Sequence, residues 1–331
     1  MKLDTFFDKF ELFADAPNAV QKMRRFILDL AVQGKLIAQD SVDEPADQLL
    51  LRIKDEKARL FKSGELKKLE SLPAVKLEAI PFMLPSGWVA SQLGDVAVCL
   101  DYMREPINGT ERELRIAGRS KSDLFPYYGA TQQQGWIDAY IFDAELVLLG
   151  EDGVPFFDDL RPKAYLISGK TWVNNHAHVF RGILVSNQYL IHCLNTFDYA
   201  GRVAGSTRAK LNQAKALDIP IALPPLAEQK RIVVKVDELM ALCDRLEAQQ
   251  QQRAEKHSVL ARAAVSRFAD APTPANLDFI FHNAYAITPA DLRKTILTLA
   301  VQGKLVPQDP NDEPADSIIR ATQTLFQRLV C

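Results

Sequence analysis

The chain has 331 residues, enough for two or three compact units, each with its own core. Its 40 Lys+Arg and 42 Asp+Glu give a formal net charge of -2 at pH 7, which excludes a protein that coats nucleic acid through bulk charge and leaves room for a local basic patch. With 47% hydrophobic and 25% charged residues, no run near the ~18 consecutive apolar residues of a membrane span and no apolar h-region in MKLDTFFDKFEL, a soluble cytoplasmic chain without membrane contact is expected. The four cysteines, Cys99, Cys193, Cys243 and Cys331, are scattered without a C-x-x-C, the pattern of reduced thiols.

A long-range duplication organises the rest. RRFILDLAVQGKLIAQDSVDEPAD (24–47) recurs as RKTILTLAVQGKLVPQDPNDEPAD (293–316), with 17 of 24 positions identical at a constant offset of 269. FADAP precedes each copy, at 13–17 and 268–272. Solenoid repeats recur every ~20–50 residues, so a spacing of 269 places a domain-sized unit between two copies of one element. Each copy reads as a helical hairpin. Met23, Ile27, Leu30 and Ala31 share a face, and Gly34 stands where a helix C′ glycine belongs. A second helix is predicted to restart at Asp43-Glu44-Pro45 with an acidic cap and to continue through Leu49, Leu50, Ile53 and Leu60. Gly303 and Asp312-Glu313-Pro314 repeat the stop and restart, and the second copy runs to Cys331.

Residues 63–85 form a charged connector with Pro73, Pro81 and Pro85. From Gly87-Trp88 to about Leu223, short β-branched and aromatic runs alternate with glycine turns, which predicts an α+β or mainly β domain stopped by Pro224-Pro225. Beyond the prolines, Ile232, Val236, Leu239, Cys243 and Leu246 advance by 4, 3, 4 and 3 residues, a heptad seam. A helix continuous over 226–268 would be on the order of 60 Å long at ~1.5 Å per residue, a spacer or dimerisation element. The fold class expected is α+β. Its parts are an N-terminal helical region (1–84), a mixed globular domain (85–225), the long helix (226–268) and a C-terminal helical region (269–331).

No catalytic constellation emerges. There is no phosphate loop, no G-x-G-x-x-G after a strand, and no glycine-rich cofactor loop paired with N/D-P-P-Y/F. His176 and His178 share one face of a possible strand but lack Cys or carboxylate partners at ligand spacing, so no metal is assigned. Glu151-Asp152, Asp158-Asp159 and Lys163 hint at an acidic nuclease site, though turn carboxylates beside Gly150 and Gly153 account for them. Charge is the stronger signal. Residues 86–159 hold five Lys/Arg and 13 Asp/Glu (-8), whereas 160–217 hold eight Lys/Arg and one acid (+7). The basic half is interleaved with donors suited to phosphate oxygens and base edges, and Tyr127-Tyr128-Gly129-Ala130-Thr131-Gln132-Gln133-Gln134 adds an amide-rich loop. A solvated basic face beside an ordinary polar loop reads equally from these residues.

At this point the sequence resembles the specificity (S) subunit of type I restriction-modification systems. The likeness rests on L-A-V-Q-G-K-L with Q-D-x-x-D-E-P-A-D at 30–47 and 299–316, on L-P-S-G-W (84–88), on 126–153 with W-V-N-N-H-A-H-V-F-R (172–181), and on 205–247, which contains A-E-Q-K-R-I. The resemblance implies a non-catalytic target recognition domain that reads one half of a bipartite double-stranded DNA site. It also implies spacer helices that fix the distance between halves, and helical repeats that dock methyltransferase (M) and, through them, restriction (R) subunits. S-adenosylmethionine, ATP and Mg then belong to the partners, and no cofactor is expected in this chain. Family members carry two recognition domains and one is visible here, so the expectation is a half-length form that pairs as a homodimer through Ile232, Val236, Leu239, Cys243 and Leu246. Candidate DNA contacts are Tyr128, Thr131, Gln132, Asn174, Asn175, His176, Arg202, Ser206, Arg208 and Lys210. A free-standing DNA-binding regulator without methyltransferase partners is the alternative.

Overall fold

The computed structural model describes residues 18–67, 80–205, 209–282, 285–306 and 309–330. The chain mixes helix and sheet and divides into two compact units, Met1–Asp244 and Arg245–Cys331. No helix among the described residues is long and apolar enough to cross a membrane. The first FADAP, at 13–17, lies outside the described residues.

The first unit begins with the hairpin α1 (Ala19–Val32) and α2 (Ala46–Lys62). Gly34, at φ 67°, ends α1: its N–H donates to Ala31 O and the Lys35 N–H to Leu30 O, the paired bonds that close a helix on a left-handed residue. The predicted acidic cap of α2 is not used. Its N-cap is Pro45, and the Ala46 N–H donates instead to Gly87 O at 2.8 Å, while the Asp43 carboxylate is taken by Arg231 at 2.6 Å. The first N–H of the helix is thus satisfied by the L-P-S-G-W segment, and the Gln48 N–H by the Asp47 carboxylate at 2.7 Å.

The globular domain follows. Strand β1 (Val89–Gln92) leads through the single turn α3 (Leu93–Val96) into β2 (Ala97–Cys99). Helix α4 (Gly109–Ile116) precedes β3 (Phe125–Tyr128), β4 (Gln133–Ile137), β5 (Phe142–Asp143), β6 (Leu146–Gly150), β7 (Ala164–Ile167), β8 (Lys170–Val173) and β9 (Ala177–Gly182). Helix α5 (Asn187–Thr196), the short α6 (Gln213–Leu217) and β10 (Pro220–Leu223) complete it. Two four-stranded sheets, ordered β2-β9-β6-β7 and β4-β3-β8-β5, form its body, and β1 pairs with β10 antiparallel, stitching the domain's two ends together. The run Leu146–Leu149 is buried on both faces, which is why it reads as continuously apolar rather than alternating. Against it packs α5, with Tyr189 donating its hydroxyl to Ala222 O at 2.7 Å. Tyr127, Ile137 and Trp172 make a separate small core for the second sheet.

Helix α7 (Leu226–Asp270) starts immediately after Pro224-Pro225. Its A-E-Q-K-R-I opening is a junction. Glu228 accepts from Trp88 Nε1 at 2.9 Å, Gln229 Oε1 from the Ser186 N–H at 3.0 Å, and Arg231 pairs with Asp43. Further along, Arg24 of α1 meets Asp244 at 2.6 Å. Of the five heptad positions, Ile232, Val236 and Cys243 are already buried within the chain, and Leu239 and Leu246 are half-buried. Spacing along one helix identifies an apolar face but not the surface it meets. Val234 and Leu242, at 59% and 50%, are exposed large apolar side chains of this stretch.

The second unit contains the rest of α7, then α8 (Pro274–Ile280), α9 (Pro289–Val301) and α10 (Ala315–Val330). Its hairpin repeats the first: Gly303 also lies at φ 67°, and the Lys304 N–H donates to Leu299 O at 2.9 Å. Burial does not repeat. Ile27 and Leu49 are 7% and 0% exposed, whereas their counterparts Ile296 and Ile318 are 51% and 54% exposed.

Candidate nucleic-acid interface

The amide-rich loop is the tip of the β3–β4 hairpin, closed by the Gly129 N–H donating to Gln132 O at 3.1 Å. Thr131, Gln132, Gln133 and Gln134 are exposed, while Tyr128 is half-buried beside Tyr165, with ring centroids 6.1 Å apart. The Tyr165 hydroxyl donates to Gly129 O at 2.5 Å. A methyl group on Gly129 would come within 2.8 Å of Gln134 Cγ and 3.2 Å of Asn174 Nδ2, so glycine is what lets the hairpin lie against the β8–β9 turn. Asn174 builds that turn: it is buried, its N–H donates to Tyr128 O and its Oδ1 accepts the His176 N–H at 2.9 Å. Asn175 at the apex is exposed, and His176 Nδ1 lies 2.9 Å from Asp152.

The Asp152 backbone in turn lies antiparallel to that of Lys210, with the Leu211 N–H donating to Glu151 O, and Lys210 pairs with Ala204 through two backbone bonds. Thr131, Gln132, Asn175, His176 and Lys210 therefore belong to one connected stretch of surface, with Tyr128 and Asn174 supporting it from beneath. Ser206 and Arg208 lie outside the described residues. Arg202 turns elsewhere: its guanidinium donates to the Asp218 carbonyl at 2.9 Å and carboxylate at 3.0 Å, lies over the Phe197 ring, and lines a cavity of about 400 Å³ with residues of α1 and α5.

Behind this surface is a buried charged joint. His178 Nε2 donates to Leu211 O at 2.9 Å, and Nδ1 lies 2.6 Å from Asp101. Arg104 bridges Asp101 (3.2 Å) and Glu151 (2.8 Å), and Lys210 Nζ reaches Glu151 at 3.0 Å. Burial pushes the Asp101 carboxyl up, but His178, Arg104 and the Val179 N–H outweigh it and hold the group below its ordinary value. For Glu151 burial also raises, and the bonds from Arg104 and Lys210 reverse it. Ligand atoms of Asp101, Glu151 and His178 lie within 4.8 Å of one another, a spacing a cation could use. Two cationic side chains and a peptide carbonyl already occupy their bonding directions, so the cluster acts as a structural clamp on Lys210. The two histidines thus diverge to different acids. Lys163, too, is buried and donates to Asp158 O at 2.6 Å, so the acidic run 151–159 builds turns.

Sequence reading assigned 86–159 to the acidic half and missed its cations. Arg112, Arg115 and Arg119 advance by 3 and 4 residues, the spacing of one helical face. Arg112 lies over Tyr127 (4.7 Å), Arg115 over Trp172 (5.0 Å) and Lys121 over Trp136 (5.1 Å), and Asp138 pairs with Arg115 (2.6 Å) and Arg119 (3.1 Å). Their periodicity was the available signal, masked by a summed charge.

The type I restriction modification DNA specificity domain matches residues 85–256, 172 of the 331 residues and so just over half of the chain. The chain belongs to this family. Its relatives include the type I restriction enzyme EcoAI specificity subunit of Escherichia coli, 31% identical over 329 residues, covering 91% of this chain and 54% of the relative. The EcoEI specificity subunit of Escherichia coli is 30% identical over 339 residues, with 94% and 56% covered. The chain spans about half the length of these curated relatives. Among solved structures, the type-I restriction-modification system S subunit from M. genitalium aligns with a TM-score of 0.39 and 11% identity, over 76% of this chain and 55% of that one. The specificity-domain match includes the whole hairpin surface and the first part of α7.

Proposed function

We propose that this chain is a DNA-reading specificity subunit of a type I restriction-modification complex, and that its recognition domain (85–225) reads one half of a bipartite target. The carrying observation is the connected run of amide, hydroxyl, imidazole and ammonium groups at Thr131, Gln132, Asn175, His176 and Lys210, inside the segment matched to the specificity domain. Amides suit bidentate contacts to adenine, and lysine suits phosphate. Adenine methylation and ATP-dependent cleavage are assigned to partner M and R subunits, with their S-adenosylmethionine, ATP and Mg. The regions 1–84 and 269–331 are assigned to docking those partners, and 226–268 to the spacer.

A bipartite target needs a second reader, which a second copy of this chain supplies in an isologous pair. Such pairing through α7 uses the exposed Val234 and Leu242 with the half-buried Leu239 and Leu246, since Ile232, Val236 and Cys243 are covered. The deciding experiment reconstitutes the chain with its methyltransferase subunits and maps methylated adenines across a genome. A bipartite motif with a fixed gap is expected. Tight operator-like binding by the chain alone, unchanged by M subunits and without methylation, would instead mark a free-standing regulator.

A further inference from the structure

Arg112 and Arg115 sit three residues apart on α4, and each lays its guanidinium on an aromatic ring of the small sheet. There the likeness ends. Arg115 is neutralised by Asp138, to which its Nε donates at 2.7 Å and its Nη2 lies at 2.6 Å. No carboxylate among the described residues lies within ion-pair distance of Arg112. Its Nε is buried with no hydrogen-bond partner, and its Nη1 reaches only Gln134 O, at 3.5 Å. That distance is the outer limit of a hydrogen bond. A methyl group on Gly135 would come 3.2 Å from Nη1, so the guanidinium rests on the β4 backbone, directly beside exposed Gln133 and Gln134.

The Tyr127 face and the β4 backbone hold this guanidinium in place before any ligand arrives, so little further side-chain freedom is lost on contact. Its planar fork matches a phosphate, and no intramolecular acid competes for it. We infer that Arg112 is a phosphate-contacting residue at the edge of the DNA-reading surface, presented by Tyr127. The inference rests on the DNA-reading function proposed above. It places a positive contact on the hairpin side of that surface, within the segment whose summed charge is negative.

The test uses the full chain in complex with its methyltransferase subunits, titrated with a target duplex and an unrelated duplex between 50 and 200 mM salt. Arg112→Ala weakens binding to both duplexes, and the slope of log affinity against log salt falls by about 0.9 for one lost phosphate contact. The ratio of wild-type to variant affinity therefore shrinks about 3.5-fold over that salt range. Arg112→Lys keeps the slope with weaker binding, because the charge stays while the fork and the stack are lost. Arg115→Ala lowers thermal stability and leaves the slope unchanged. Should the alanine variant fail to fold, Arg112→Gln, which keeps bulk over Tyr127, gives the same readout. If the wild-type complex binds DNA and Arg112→Ala leaves the slope unchanged, this assignment alone is overturned, as it is by relaxed preference at a single base pair with the slope intact. A wild-type complex with no salt-dependent DNA binding overturns the parent reading as well.

Discussion

Replacing Gly34 and Gly303 by alanine, one at a time, puts the same methyl group on the same backbone conformation in two surroundings, since both residues have φ 67°. An L-residue in the left-handed region costs roughly 1–2 kcal/mol, and that cost is common to both sites. At Gly34 the added Cβ would stand 2.4 Å from Pro85 Cγ and 3.0 Å from Trp88 Cζ2, where ordinary contact begins at 3.4 Å. The indole does not yield freely: Trp88 is buried, is tied to Glu228 and meets Tyr189 edge-on at 6.4 Å. Overpacking of this kind adds about 1–3 kcal/mol. Gly303 is exposed, so the backbone conformation is the cost expected there. Native-state hydrogen exchange on the intact chain reads the two hairpins separately, through the Lys35 and Lys304 amides that close them and the Ala46 amide bonded to Gly87. Gly34→Ala should reduce protection in its hairpin by roughly 5- to 140-fold more than Gly303→Ala does in its own. Equal losses would show that the first hairpin is not held against Pro85 and Trp88, and would refute the reasoning.

The remaining expectations concern pH, the charged joint and base reading. His192 is buried with no partner on Nε2, and burial holds its pKa down to about 4 from an ordinary 6.5. The unfolded chain then binds the proton first, so stability present above pH 6.5 is lost as pH falls towards 4, by on the order of 3 kcal/mol. His192→Phe should remove that part of the acid sensitivity in denaturant titrations, and an identical pH profile would refute it. Glu228 has the opposite sign: burial raises its carboxyl, only partly offset by Trp88, Gln39 and Arg231. Stability should therefore decline as pH rises from the ordinary 4.5 through the raised native value, and Glu228→Gln should flatten that decline. Asp101→Asn removes one charge from the joint with His178 and Arg104 and should cost about 3–5 kcal/mol, read as a thermal shift. Gln132→Ala and Asn175→Ala should each relax base preference, worth about 1–3 kcal/mol of discrimination, with the salt slope intact.

Local signals carried most of what the sequence disclosed. The glycine stop and proline restart of each hairpin depend on a few adjacent residues, and they appear at Gly34, Pro45 and Gly303. Long-range partners were not legible. Asp43 read as a helix cap because nothing in a linear sequence shows Arg231 approaching it from 188 residues away. The heptad of α7 read as one continuous free seam for the same reason: Ile232, Val236 and Cys243 are buried within the chain, while Leu239 and Leu246 are half-buried. Summed charge misled at Arg112, Arg115 and Arg119: among the described residues the carboxylate that pairs with Arg115 and Arg119 is Asp138, 23 and 19 residues away in sequence. His176 and His178 looked like a pair because strand alternation puts them on one side, yet Asp152 and Asp101 separate them.

The exposed second hairpin has a consequence for how the chain behaves in a tube. Leu297, Val301, Ile318, Ile319, Leu325 and Phe326 all face solvent there, and a net charge of -2 supplies almost no repulsion between molecules near neutral pH. Apolar patches on a weakly charged particle make for poor colloidal stability. The purified chain should bind an apolar fluorescent dye without unfolding, precipitate readily in ammonium sulfate, and concentrate best well above its pI of 6.2, where added negative charge keeps the molecules apart.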